Sequence, residues 1–154
     1  MRMPVSVLIL IALDLVLAGL ALFGGVNLMM DPTGVTMQID PTIGYIPFVS
    51  NFMPFAIWLV VAFAALPVIL AFGLYYDKKW ALYGSLGLAG LEIVWIATQA
   101  VLLYPLGIAG WWPVIISYAI VVAGIAAASV YLMLRSSVRT YFHWGMPRIK
   151  EPGS

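Results

Sequence analysis

The chain has 154 residues, of which 64% are apolar and only 8% are charged, and its formal net charge is +1. A water-soluble domain averages about 45–50% apolar and about 25% charged residues, so this chain has too few polar groups to cover a water-exposed surface. It contains no Cys and one His, His143, which excludes disulfides, thiolate metal sites and a haem held by two of its own histidines. We therefore expect a single integral membrane domain over residues 1–154.

Four apolar segments are long enough to cross the hydrocarbon core as helices, which takes about 20 residues. They predict an all-α fold, an antiparallel bundle of four transmembrane helices at about 4–23, 54–76, 80–103 and 112–134. Pro67 lies inside the second span and lacks a backbone donor, so we expect a kink near Phe63–Pro67. A cleaved signal peptide fits the first span less well, because its apolar run is long and contains Asp14.

The basic residues predict how these helices are oriented. All seven fall at the same end of the four spans: Arg2, Lys78, Lys79, Arg135, Arg139, Arg148 and Lys150. By the positive-inside rule this end faces the cytoplasm, so both termini are expected to be cytoplasmic in a plasma membrane. Four of the seven belong to a basic tail at 135–154, which we expect to continue the fourth helix along the membrane surface and to contact anionic lipid headgroups.

Residues 24–53 form a long loop on the opposite, outer side. The turn sequences at Asp31-Pro32 and Asp40-Pro41 enclose a stretch in which apolar and polar residues alternate, which predicts a short β-hairpin. We interpret the loop as an ordered cap over the helix ends, and a binding surface for another subunit is the alternative. Asp31 and Asp40 are also conceivable calcium ligands, although Asp-Pro pairs are common in ordinary turns.

Two acidic residues lie inside the predicted spans. Asp14 is the eleventh residue of the first span and Glu92 is near the eleventh of the third, so both should lie close to the membrane midplane. An ionised carboxyl there costs about 2.5–3.5 kcal/mol to insert, and no Lys or Arg lies in any span to pair with it. We therefore expect both side chains to face the interior of the bundle, with at least one protonated at neutral pH.

Other small and polar residues share faces with these acids. Ser85, Glu92 and Gln99 recur at seven-residue spacing along one stripe of the third span, and Trp95 lies one turn from Glu92. Small residues that would allow close helix packing occur on three spans: Ala18, Ala21 and Gly25; Gly84, Gly87 and Gly90; Ala119, Ala123 and Ala127. The polar residues either join helices or form a proton-linked or ligand-binding site, in which Trp95 could line a flat ligand such as a quinone.

Several short motifs carry a family resemblance. They are Gly24-Gly25, Asp31-Pro32-Thr33-Gly34, Gly73-Leu74, Trp80-Ala81, and Val94-Trp95-Ile96 followed by Gln99. With these motifs, over about two-thirds of its length, the chain resembles the small four-helix membrane proteins called DoxX-like, most of which have no known function. The namesake family is linked to a membrane thiosulfate:quinone oxidoreductase, so the resemblance implies a four-helix topology and a redox-associated membrane subunit.

Three hypotheses about function follow. The chain contains no phosphate-binding glycine loop, no H-E-x-x-H and no G-x-S-x-G motif, so our leading hypothesis is a non-catalytic membrane subunit. Such a subunit would pack against other membrane proteins or copies of itself, without a cofactor and without nucleic acid. The alternatives are a small proton-coupled transporter that uses Asp14 and Glu92, and a quinone-linked enzyme subunit with Glu92, Gln99 and Trp95 beside the ring.

Overall fold

The computed structural model describes residues 3–37, 39, 49–103 and 112–142, although not the side chains of 100–103, 112–115 and 118. Outside the described loop residues these ranges are helical, as the sequence predicts, and none of them contains a strand. The helices are α1 (Val5–Met30), α2 (Met53–Trp58), a π-helix (Leu59–Ala65), α3 (Leu66–Tyr75), α4 (Lys79–Leu103), α5 (Trp112–Leu134) and α6 (Ser136–Tyr141).

Three helical stretches are long and apolar enough to cross a membrane, namely Val5–Met30, Met53–Tyr75 and Lys79–Gln99. They coincide with the first three predicted spans. The fourth predicted span is helical as α5, and its apolar stretch of described side chains, Ala119–Leu134, is shorter than the other three. The protein is therefore a helical membrane protein with at least three candidate spans.

The first helix ends later than the sequence suggests. We expected the span to end at about Phe23, but α1 continues to Met30 and the loop begins at Asp31. A Cβ atom on Gly25 would lie 2.6 Å from Cγ2 of Val60 and 3.2 Å from the carbonyl oxygen of Ala56. Gly25 therefore allows a close approach between α1 and the second span, and it does not end the helix.

The second span departs from regular α-helix where the sequence predicts an irregularity. Pro67 is the second residue of α3, and the seven residues immediately before that helix, Leu59 to Ala65, are π-helical. Because proline cannot donate a backbone hydrogen bond and its ring crowds the preceding turn, the chain before it is free to adopt the wider π spacing. We call Leu59–Ala65 the π segment.

The helices pack side by side around an apolar core. α1 contacts α2, the π segment, α3 and α5, and α4 contacts α3 and α5. Leu70 of α3 fills the space over Gly84, where an added Cβ would lie 2.3 Å from a Leu70 methyl group, Cδ2. Of the other small residues expected to pack closely, Ala18 and Ala21 are buried and Ala119 is half-buried, whereas four are exposed: Gly87, Gly90, Ala123 and Ala127. The interior of this chain therefore uses only part of its small-residue surface.

The described part of the loop rests on the helix ends. The Asp31 carboxylate accepts hydrogen bonds from the Thr33 hydroxyl, from the Thr33 N–H at 3.1 Å and from the Thr36 N–H at 2.7 Å. The Phe52 N–H donates to the Pro32 carbonyl at 2.8 Å, and the Phe52 ring packs over Gly34. Residues 35–37, where the hairpin would begin, lie in turns, and its remainder lies mostly outside the described residues.

The basic tail does not continue α5 as expected. Arg135 is extended, and the short helix α6 that follows returns to the protein, with Val138 fully buried in the core. The hydroxyls of Ser6 and Ser137 lie 3.3 Å apart, which joins α6 to the start of α1. Val138 and Phe142 belong to the same apolar core as Leu74 and Ala81, and burial and the Asp77 carboxylate raise the pKa of the Tyr141 phenol. We call this the basic end of the protein, and the opposite end the loop end.

Candidate functional site

The acidic residues inside the spans are both buried. Asp14 on α1 is 4% exposed and Glu92 on α4 is 2% exposed, and Ser85 on the same stripe of α4 is buried as well. The seven-residue spacing of Ser85 and Glu92 places both on the face of α4 that meets the rest of the protein. The structure thus brings together three of the residues that the sequence singles out. We call Asp14 and Glu92 the acid pair.

Asp14 has a partner across the interior. The Ser85 hydroxyl donates a hydrogen bond to Oδ2 of Asp14 at 3.2 Å, within the buried region. Ser85 precedes Glu92 by seven residues, or about 10 Å along a helix axis. The hydrogen-bond partner of Asp14 therefore lies on the basic-end side of Glu92. Asp14 does not lie opposite Glu92 itself. Both side chains lean towards the N-terminal ends of their helices, which lie at the basic end.

Glu92 lacks such a partner. Its Oε2 atom is buried and has no hydrogen-bond partner among the residues that the structure describes. One turn further towards the loop end, Nε1 of Trp95 is likewise buried and unpartnered within the described part of the chain. Buried polar atoms are nearly always hydrogen-bonded in native proteins, so two such atoms on adjacent turns of one helix are unusual. Together they offer a carboxyl oxygen and an N–H donor to a molecule between them.

Aromatic rings surround Trp95 on the loop-end side of Glu92. The centroid of the Trp95 ring lies 5.8 Å from that of Phe63 and 6.4 Å from that of Phe55, and Phe55 lies 6.2 Å from Phe52. We call Phe52, Phe55, Phe63 and Trp95 the aromatic group. It leads from the base of the loop to the acid pair. Because Phe55 and Phe63 both pack against the indole ring, the surface that we assigned to a quinone is covered by the chain's own rings in this conformation.

The remaining site candidates lie elsewhere. Gln99 is half-buried on α4, two turns nearer the loop end than Glu92. Arg135 and Arg139 are exposed at the basic end, where Arg135 lies over the Tyr131 ring at 5.6 Å from its centroid. Arg148, Lys150 and Asp40 lie outside the described residues.

The Asp31 carboxylate is fully engaged within its own turn. Its hydrogen bonds from the Thr33 hydroxyl and from Thr36 hold its pKa well below the usual range. Among the described residues, no group of three His, Cys, Asp or Glu side chains is placed to hold a metal ion. Asp31 therefore organises its own turn, while the other residue that the sequence offers as a calcium ligand, Asp40, lies outside the described residues.

Sequence reasoning did not identify Phe55, Phe63 or the π segment as parts of the site. Phe55 and Phe63 are eight residues apart, a spacing that places them on one helical face, and Pro67 marks the irregular turn beside them. That signal becomes informative only once Trp95 is known to face the second span. No family model, curated protein or solved structure matches the chain.

Proposed function

We propose that this protein is a small proton-coupled membrane transporter in which Asp14 and Glu92 bind the coupling proton. One observation carries the proposal: Glu92 is 2% exposed, and its Oε2 atom has no partner among the described residues. An ionisable group inside a membrane span is costly, and such groups typically mark proton or substrate pathways.

The chemistry of the acid pair favours a proton as one of its ligands. No Lys or Arg is present in any predicted span, so the chain provides no cation to neutralise two carboxylates in hydrocarbon. A proton on at least one carboxyl removes most of that cost, and its exchange would change the charge of the site by one unit. The Ser85 hydroxyl can donate to an ionised Asp14 and can accept from a protonated one, so it suits both states.

The proposal includes a topology. We propose an antiparallel four-helix bundle in the plasma membrane, with the loop end outside and both termini in the cytoplasm. The support is the charge distribution: Lys78, Lys79 and Arg135 lie at one end, whereas the opposite loop contains no basic residue. Because the chain has no Cys, single cysteines can test this cleanly. An impermeant thiol reagent should label Thr36→Cys in intact cells and spare Lys79→Cys, and equal labelling would refute the orientation.

A second candidate function rests on a different observation. Gly87 and Gly90 of α4 and Ala123 and Ala127 of α5 are exposed, so their faces are open to a close helix–helix contact with another protein. A non-catalytic subunit of a larger membrane assembly, redox-associated as in the DoxX-like resemblance, would use such faces. Native mass spectrometry in mild detergent distinguishes the two candidates. Stable unlike partners or a co-purifying quinone would favour the assembly subunit.

Proton coupling is tested in sealed vesicles that contain the purified protein and an internal pH dye. A pH gradient is imposed, and the small-molecule fraction of a cell extract is then added outside. We expect the wild-type protein to dissipate the gradient faster in the presence of this fraction, and Glu92→Gln to remove the effect. Ser129→Ala is the matched control, because Ser129 is a buried polar residue of α5 outside the acid pair. Equal rates for wild-type protein and Glu92→Gln would refute the proposal.

A further inference from the structure

We propose that the substrate exchanged for the proton is a small organic cation, with an ammonium group and an oxygen acceptor, that binds between Glu92 and Trp95. This inference rests on the proposed function and names its substrate class. Binding is a simple exchange: the Glu92 carboxylic acid releases its proton, and the resulting carboxylate takes the ammonium group as its counter-ion. No covalent bond to carbon forms or breaks, and one positive charge replaces another.

The charge of the site favours a cationic ligand. Asp14 and Glu92 are the only charged residues within the predicted spans, and both are acidic and buried. An anionic ligand would add a further negative charge there, and a neutral one would leave the site without a counter-charge whenever the proton departs. A cation avoids both costs, because a buried carboxylate is tolerated when it is paired.

The aromatic group makes an organic cation more suitable than a metal ion. The ring centroids of Phe55 and Phe63 lie 6.4 Å and 5.8 Å from that of Trp95, on the loop-end side of Glu92. Aromatic faces attract ammonium groups, whereas they offer nothing to an ion that requires several oxygen ligands. The described residues also provide no cluster of three acidic, His or Cys side chains for a metal.

The Trp95 N–H indicates that the ligand also contains a hydrogen-bond acceptor. It is buried without a partner among the described residues, and Trp95 lies one helical turn from Glu92, a spacing at which Cβ atoms are about 5–6 Å apart. An ammonium group satisfies the carboxylate but cannot accept a hydrogen bond from the indole. A hydroxyl, ether or carbonyl oxygen on the same molecule can, so the pair of unpartnered atoms predicts a ligand with both groups.

Access to this site requires the aromatic group to separate, and the π segment is placed to allow it. Phe63 lies in the π segment and packs against Trp95. π-helical turns are rare and frequently lie at functional sites. A register shift there would rotate Phe63 away from Trp95 and open the site towards the loop end.

The experiment measures proton release from the purified protein in weakly buffered detergent with a pH dye. The probes are choline, which has an ammonium group and a hydroxyl, and tetramethylammonium, which lacks the oxygen, with sodium chloride as the salt control. We expect both ammonium probes to release a proton and choline to bind more tightly by roughly fivefold, the size of one hydrogen bond. Sodium chloride should release none, and Glu92→Gln should abolish release.

Trp95→Phe keeps an aromatic ring and removes the donor, so it should cancel the preference for choline. If that variant does not fold, Phe63→Leu provides the second test, because losing a ring should weaken both probes severalfold. Saturating probe with no proton release, or tighter binding of tetramethylammonium than of choline, would overturn the inference. If neither probe binds while the vesicle assay still shows coupling through Glu92, the inference fails and the proposed function stands. Loss of both signals would refute the two together.

Discussion

Replacing Gly25 with Ala should weaken the contact between α1 and the second span. The added Cβ would lie 2.6 Å from Cγ2 of Val60 and 3.2 Å from the Ala56 carbonyl oxygen. Both neighbours are close to the backbone, so relief requires a new Val60 rotamer or a small separation of the helices. Overpacking of this kind costs about 1–3 kcal/mol, and the better helix propensity of Ala offsets up to about 1 kcal/mol. A net loss of about 1–2 kcal/mol is expected.

The stability of each variant is measured by reversible unfolding or by thermal unfolding in detergent. Gly19→Ala is the matched control on the same helix. No heavy atom lies within 4 Å of a Cβ at Gly19, so that variant should be as stable as the wild type or slightly more so. Adding Val60→Ala removes the nearest methyl group and should restore most of the stability of Gly25→Ala. Equal unfolding of the Gly25 and Gly19 variants, or no rescue by Val60→Ala, would refute the packing argument.

Three further predictions concern other parts of the molecule. Glu92→Gln should fold normally, whereas Glu92→Leu should lower the unfolding temperature modestly. If both variants unfold at the wild-type temperature, Glu92 has no structural role. Asp31→Ala should speed proteolysis of the loop at neutral pH. The hydrogen bonds that lower the Asp31 pKa keep the wild-type loop intact above the usual Asp pKa of about 3.9, and order is lost only in stronger acid. Val138→Asp places a charge at a fully buried position and should destabilise the protein strongly, whereas exposed Thr140→Ala should not.

The sequence predicted the helices well because apolar length is a direct requirement of the bilayer. It placed the end of α1 too early, at about Phe23 instead of Met30, although it correctly named Gly25 as a position of close packing. The sequence also misplaced α6. The basic tail has the composition of a surface helix, but the burial of Val138 depends on where α1 begins.

The candidate site was predictable to a similar extent. Seven-residue spacing and the cost of charge in hydrocarbon were enough to place Asp14, Ser85 and Glu92 in the interior. The Asp14–Ser85 hydrogen bond and the contact between Phe63 and Trp95 depend on how separate helices align, which periodicity within one helix does not encode. Exposure of the alanine face on α5 was missed for the same reason.

The most direct test of the account is an infrared titration of the acid pair in the purified protein. The carbonyl stretch of a protonated carboxyl is followed as the pH is raised from mildly acidic to mildly alkaline. Glu92→Gln and Asp14→Asn then assign the signal, with Ser129→Ala as the control. We expect a protonated buried carboxyl near neutral pH that loses its proton over this range and disappears in at least one of the two variants. A spectrum in which neither carboxyl changes protonation over the range would contradict the central claim that the acid pair exchanges a proton.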